Sequence, residues 1–156
     1  MPPPSLRATA SRHCTPCTVC CVALPVPEGL LGPECKPAGV ACQDLGPRGC
    51  LRYASRPAVC SGFRCAWLAD RGWPESWRPD RSGLLCLRED LLGTTPAAAV
   101  YEVVAGALAQ PVASDILRAL RHTTAAVALV HNDGRREGIF GEWNPAEAAP
   151  ALREVA

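Results

Sequence analysis

Residues 13–21 read HCTPCTVCC, a C-x2-C-x2-C-C run that places Cys14, Cys17, Cys20 and Cys21 within eight positions. Six further cysteines follow, the last at Cys86, and none lies between Leu87 and Ala156. A thiolate is a soft, anionic donor that selects zinc, copper(I) or iron–sulphur centres, whereas magnesium and calcium require oxygen ligands. Only Glu28, Glu34 and Asp44 fall between Cys14 and Cys65, so hard cations have little to bind there. Thiols three residues apart can converge on one centre. Neighbouring side chains diverge, so Cys20 and Cys21 either serve different metal atoms or only one of them ligates.

The distribution of cysteine divides the chain. Residues 13–86 are expected to form a small, irregular, metal-stabilised cysteine-cluster domain with short helices. Residues 87–156, rich in Ala, Val and Leu, are expected to form an α+β lobe. Residues 1–12 contain three consecutive prolines and no apolar period, which predicts a disordered leader. Residues 23–49 hold several prolines and glycines without a helix or strand period, so burial alone does not order them. Metal ligation at Cys42 and Cys50 would, because binding free energy becomes folding free energy when the unfolded chain lacks a formed site.

In the tail, Pro96 behind Thr94 and Thr95 opens a run with Val100, Val103, Val104, Ala107 and Leu108 at helical spacing, which predicts a helix over 96–109. A second helix is predicted from Pro111, with Val112, Ile116, Leu117 and Leu120 on one side and Arg118, Arg121 and His122 near its end. Residues 126–131 and 135–140 flank Asn132-Asp133-Gly134 and predict a β-hairpin. The tail therefore reads as two helices and a hairpin.

Charge excludes some functions. Residues 1–86 carry ten Lys and Arg against six Asp and Glu, and residues 87–156 carry six against nine, so neither half is a nucleic-acid tail. The first residues lack the apolar stretch of a secretory signal, and no run approaches the roughly 18 apolar residues of a membrane span. The expectation is a cytoplasmic protein that engages neither nucleic acid nor membrane, with room for a protein partner the sequence does not identify. In a reducing compartment, ten cysteines are better explained by metal or redox chemistry than by disulfides.

Zinc and iron are separated only in part. Structural zinc prefers two C-x2-C knuckles, and no second knuckle follows the first; the later cysteines are scattered, which suits a larger centre. The fourth ligand and following proline of a bacterial ferredoxin run are absent. The order Cys14, Cys17, Cys20, Cys21, then Cys42, then Cys50-x2-Tyr53-x2-Arg56-Pro57-x2-Cys60, then Cys65 resembles the YkgJ-type cysteine-cluster family, whose members are described as zinc- or iron-chelating. The resemblance covers about residues 13–80. It implies that these eight cysteines hold an iron–sulphur cluster, 4Fe–4S favoured, or zinc. Tyr53 and Arg56 are candidate donors to the sulphurs, as are Arg12, Arg52 and Arg64 by proximity in sequence.

Some members of that family are flagellin lysine N-methylases. They are much longer, and this chain has no glycine-rich strand-to-helix motif for a methyl donor. Three functions follow as expectations: an iron–sulphur or iron protein with a redox or enzyme-accessory role, a zinc-stapled interaction module, and a protein-modifying enzyme of the methylase kind. Cys35 and Cys86 lie outside the pattern and read as free thiols. His13 reads as exposed or hydrogen-bonded, His122 and His131 as structural, and Trp73 and Trp77 as aromatics covering the cluster domain.

Overall fold

The computed structural model describes residues 12–91 and 93–144. It is an α+β fold of short helices and a sheet. In its first part come helix α1 (Val19–Ala23), the two-residue strands β1 (Leu45–Gly46) and β2 (Gly49–Cys50), and the short helices α2 (Ala58–Ser61), α3 (Ala66–Ala69) and α4 (Pro79–Ser82). Strands β3 (Leu84–Leu91) and β4 (Thr95–Glu102), helix α5 (Pro111–Thr123), and strands β5 (Ala126–Val130) and β6 (Arg136–Phe140) follow. The predicted 1–12 leader falls outside the described residues except for Arg12, which is tied into the fold.

The larger sheet runs β3-β4-β5-β6, with β4 and β5 parallel and the other pairs antiparallel. Parallel neighbours need a crossover, and α5 supplies it. The hairpin predicted over 126–140 is present, with Val127 opposite Ile139, and so is the helix predicted from Pro111.

The helix predicted over 96–109 is not formed. Thr95–Glu102 is instead a strand at the centre of the sheet, and only Ala107–Ala109 makes a 3-10 turn. Among the described residues the tail thus carries one long helix rather than two. Ala97, Ala98, Ala99 and Val100 are all buried, because β4 is flanked on both edges and covered on both sides. A strand hidden on both faces loses its alternation and reads as a continuous apolar run, which periodicity does not distinguish from a helix. Alanine's helix preference is a fraction of a kcal/mol per residue, and tertiary context overrides it.

Alternation along the strands builds the core. Leu84 and Cys86 of β3, Ala98 and Val100 of β4, and Val127 and Leu129 of β5 meet Ala113, Ile116 and Leu120 of α5. Ala66, Trp67 and Trp73, from the cysteine-rich part, join the same cluster. Strand β3 runs through position 86, where the sequence divides in composition. Gly83 makes the entry into β3: it caps α4 at φ 73°, and a Cβ there would stand 2.9 Å from the Ala107 Cβ. Its carbonyl also accepts from the Val103 N–H at 2.9 Å. Only glycine meets both demands.

Candidate metal centre

The cysteine-rich part has little regular structure, yet its thiols are gathered. A cavity of about 180 Å³ is lined by Cys14, Cys17, Cys20, Cys21, Cys42, Cys50, Cys60 and Cys65, together with Tyr53 and Arg56. These are the eight cysteines of the sequence pattern. Cys35 is exposed, and Cys86 is buried in the core; neither lines the cavity. No disulfide joins any of the ten.

Each thiol is delivered by a local feature. Cys14 and Cys17 are joined by a turn in which the Cys17 N–H donates to the Cys14 carbonyl at 2.6 Å. Cys20 and Cys21 lie on α1, Cys60 on α2, and Cys65 immediately precedes α3. The Cys42 N–H donates to the Cys21 carbonyl at 2.9 Å, and the Leu45 N–H to the Cys42 carbonyl at 3.0 Å. Leu45 pairs with Cys50 across β1 and β2, so the small hairpin carries both thiols to the cavity.

Hydrogen-bond donors surround the sulphurs. The Tyr53 hydroxyl stands 3.5 Å from Cys14 Sγ, and Arg56 Nη1 donates to the same sulphur at 3.6 Å. The Arg56 guanidinium stacks 3.9 Å from the Tyr53 ring centroid, while its buried Nε has no protein acceptor. The Asp44 N–H points to Cys42 Sγ at 3.5 Å. Arg52, a further candidate from sequence, pairs with Asp44 instead, at 3.5 Å.

Sequence reading missed Lys36. It lines the cavity, is 9% exposed, and donates to the carbonyls of Leu24, Val22 and Pro37 at 2.5, 3.2 and 3.2 Å. The one lysine of the chain thereby sets a positive charge beside Cys21. A signal was available in hindsight: a lone lysine among fifteen arginines, one residue after a cysteine.

Ionisation follows the packing. Burial pushes Cys17, Cys60 and Cys65 above the ordinary thiol value, with the Asp80 carboxylate adding to the shift at Cys17 and neighbouring thiols adding to it at Cys60 and Cys65. Cys20 is raised by its hydrogen bond to Cys21 and then by burial, and Cys21 is lowered by the same bond. Crowded, desolvated thiols resist ionising side by side, and a cation reverses that preference.

Among the described residues, no group of three or more His, Cys, Asp or Glu side chains stands at the spacing of ligands to one ion. The thiols occupy the walls of the cavity rather than a point. The donor set suits a soft metal or a thiolate-ligated cluster, with the room between the walls for it to fill. His13 and His122 do not line the cavity, and His122 pairs with Glu142 at 2.7 Å. Trp73 is buried in the core it shares with the sheet and meets Trp77 edge-on with ring centroids 5.0 Å apart, and neither ring lines the cavity.

Comparison with protein-family models, curated proteins and solved structures finds no match to this chain. The resemblance to the YkgJ-type pattern therefore rests on the quoted residues alone. No helix among the described residues is long and apolar enough to cross a membrane.

Proposed function

We propose that this chain is a metal-binding protein whose eight cavity cysteines hold thiolate-ligated iron, in the first reading as an iron–sulphur centre with a redox or enzyme-accessory role. The observation that carries the proposal is selective gathering. Of ten cysteines, the eight that match the sequence pattern line one cavity, and the two that do not match lie elsewhere. Cys14 and Cys65 stand 51 positions apart in the chain, and a shared ligand accounts for their meeting with the other six.

An iron–sulphur centre held there would supply one-electron transfer. The chain's own part would be to donate hydrogen bonds to sulphur from Tyr53, Arg56 and the Asp44 N–H, and to offset thiolate charge with Lys36. Both levers tune a cluster's potential.

A zinc-stapled interaction module is the second reading, favoured by residues 24–44. There the regular pairing is a single bridge between Val26 and Lys36, and Leu30 and Val40 are exposed. Metal would be the main force ordering such a segment. Anaerobic purification with elemental analysis for iron, acid-labile sulphide and zinc separates the two. Iron with matching sulphide and visible absorption supports the first reading, zinc in a colourless protein the second. A chain that binds neither refutes both.

A further inference from the structure

We propose that the outer edge of β6 pairs with the same edge of a second copy of this chain, joining two four-stranded sheets into one of eight strands about a two-fold axis at Gly138. No residue of β6 lines the thiol cavity, so this pairing is independent of what the cysteines hold.

In the ladder between β5 and β6, the odd-numbered residues of β6 carry the bonds. The His131 N–H donates to the Arg135 carbonyl at 2.8 Å, and at the other end the Gly141 N–H donates to the Ala125 carbonyl at 2.8 Å. Antiparallel pairs alternate between bonded and non-bonded, so Arg136, Gly138 and Phe140 turn their N–H and C=O groups outward. β6 ends the strand order, and among the described residues no strand pairs with that edge. Its register against β5 runs from Arg136 to Phe140 without a bulge, and the strand holds no proline. Two of the usual devices that block an edge are therefore missing.

The side chains select a second copy as the occupant. Val127 and Leu129 face α5, so their partners Ile139 and Glu137 lie on the α5 side. Arg136, Gly138 and Phe140 point to the other side and are exposed, Phe140 at 88%. A Cβ at Gly138 would meet nothing within 4 Å. An antiparallel copy centred on Gly138 sets Arg136 opposite Phe140 at both ends and leaves space over the glycines for the two rings. Each guanidinium then meets an aromatic ring, Glu137 stands opposite Ile139, and no like charges face each other. Moving the centre to Glu137 would set two carboxylates opposite one another. Moving it to Ile139 would put Arg136 and Glu137 opposite residues beyond the five of the strand. The Gly138 register alone pairs the whole strand. The Phe140 carbonyl accepts from Arg121 Nε at 3.1 Å and keeps a second lone pair for the copy.

The test is sedimentation velocity on the full chain, under reductant so that thiols do not cross-link, from low micromolar to submillimolar concentration, with amide hydrogen exchange at both ends of that range. The expected result is a monomer–dimer equilibrium, with exchange over residues 136–140 slowing as the dimer fills. Phe140→Ser and Gly138→Lys should each weaken the dimer by about 10-fold or more, the first by removing both ring contacts and the second by placing like charges across the two-fold. Both positions are exposed, so the melting temperature of the dilute monomer should stay as it is. A monomer at every concentration overturns the pairing, as do species larger than a dimer, which a two-fold contact does not build. A dimer that leaves exchange over residues 136–140 unchanged, or that either variant fails to weaken, overturns this edge as its contact. Slow exchange there in a monomer means that another segment of the chain covers the edge, and overturns it too.

Discussion

Arg12 caps Trp67 twice: its Nη1 donates to the Trp67 carbonyl at 2.6 Å, and its guanidinium lies 4.2 Å from the centroid of the Trp67 ring. The same fork reaches the carbonyls of Asp70 at 2.8 Å and Trp73 at 2.7 Å. Arg12→Ala should destabilise the chain by about 2 kcal/mol, the scale of a charged hydrogen bond together with a cation–π contact. Arg12→Lys should recover less than half of that, since an ammonium does not span several carbonyls as a planar fork does. Denaturant unfolding of the three proteins measures both.

Tyr53 and Arg56 act together on Cys14, one stacked on the other and both pointing at the sulphur. Tyr53→Phe should keep the metal, because it removes a donor and no ligand. If the centre is iron–sulphur, its reduction potential should fall, since a hydrogen bond to sulphur favours the more negative, reduced state. Arg56→Ala should weaken metal affinity by about 10-fold. Competition with a chelator measures the affinity, and anaerobic voltammetry the potential.

Cys86 is 2% exposed in the core, and burial pushes its thiol up to about 12. It should resist alkylation in the folded chain. Cys86→Ser should cost about 1–3 kcal/mol by burying a hydroxyl without a prepared partner, yet leave metal content unchanged. Cys17→Ser, Cys42→Ser and Cys60→Ser should each lower metal content. Equal metal in all four variants would sink the choice of ligands.

Glu102 ties the end of β4 to its surroundings. Its carboxylate accepts from the Asn132 N–H at 2.9 Å and the Leu108 N–H at 3.2 Å, and these bonds hold the group below its ordinary 4.5 against the opposing effect of burial. The folded chain thus releases this proton more readily than the unfolded one. Its stabilisation is complete above the unfolded value and is lost as pH falls through the lower folded value. Thermal unfolding between about pH 5 and pH 3 should decline less steeply in Glu102→Gln than in the unaltered chain. Parallel curves would remove Glu102 from the account.

Residues 14–65 show why the candidate site was legible in sequence. Cysteine is rarely spent eight times in an ordered pattern, and its chemistry restricts what the pattern can hold. The set that lines the cavity was therefore readable from the resemblance of that ordered pattern to the YkgJ-type family, while α5 was readable from its apolar stripe and the β5–β6 hairpin from Asn132-Asp133-Gly134. Lys36 stood out only as a lone lysine beside a cysteine; its role was not readable, because it depends on three carbonyls that only the folded chain presents. The strand at Thr95–Glu102 was hidden for a related reason. Its apolar run records that it is buried, whereas the identity of its neighbours, β3 on one edge and β5 on the other, decides that it is extended.

What the sequence determined by itself was the inventory: soft donors in one part, an amphipathic helix and hairpin in the other, and little apolar periodicity to order residues 23–49. What tertiary structure alone decided was association. It set Trp67 and Trp73 into the core of the sheet, drew Arg12 to the carbonyls around α3, and sorted eight thiols around one cavity. Spacing along a chain constrains which side chains share a local face, but contacts between distant segments depend on how buried surfaces fit. That fit is a property of the whole fold and is written in no single stretch.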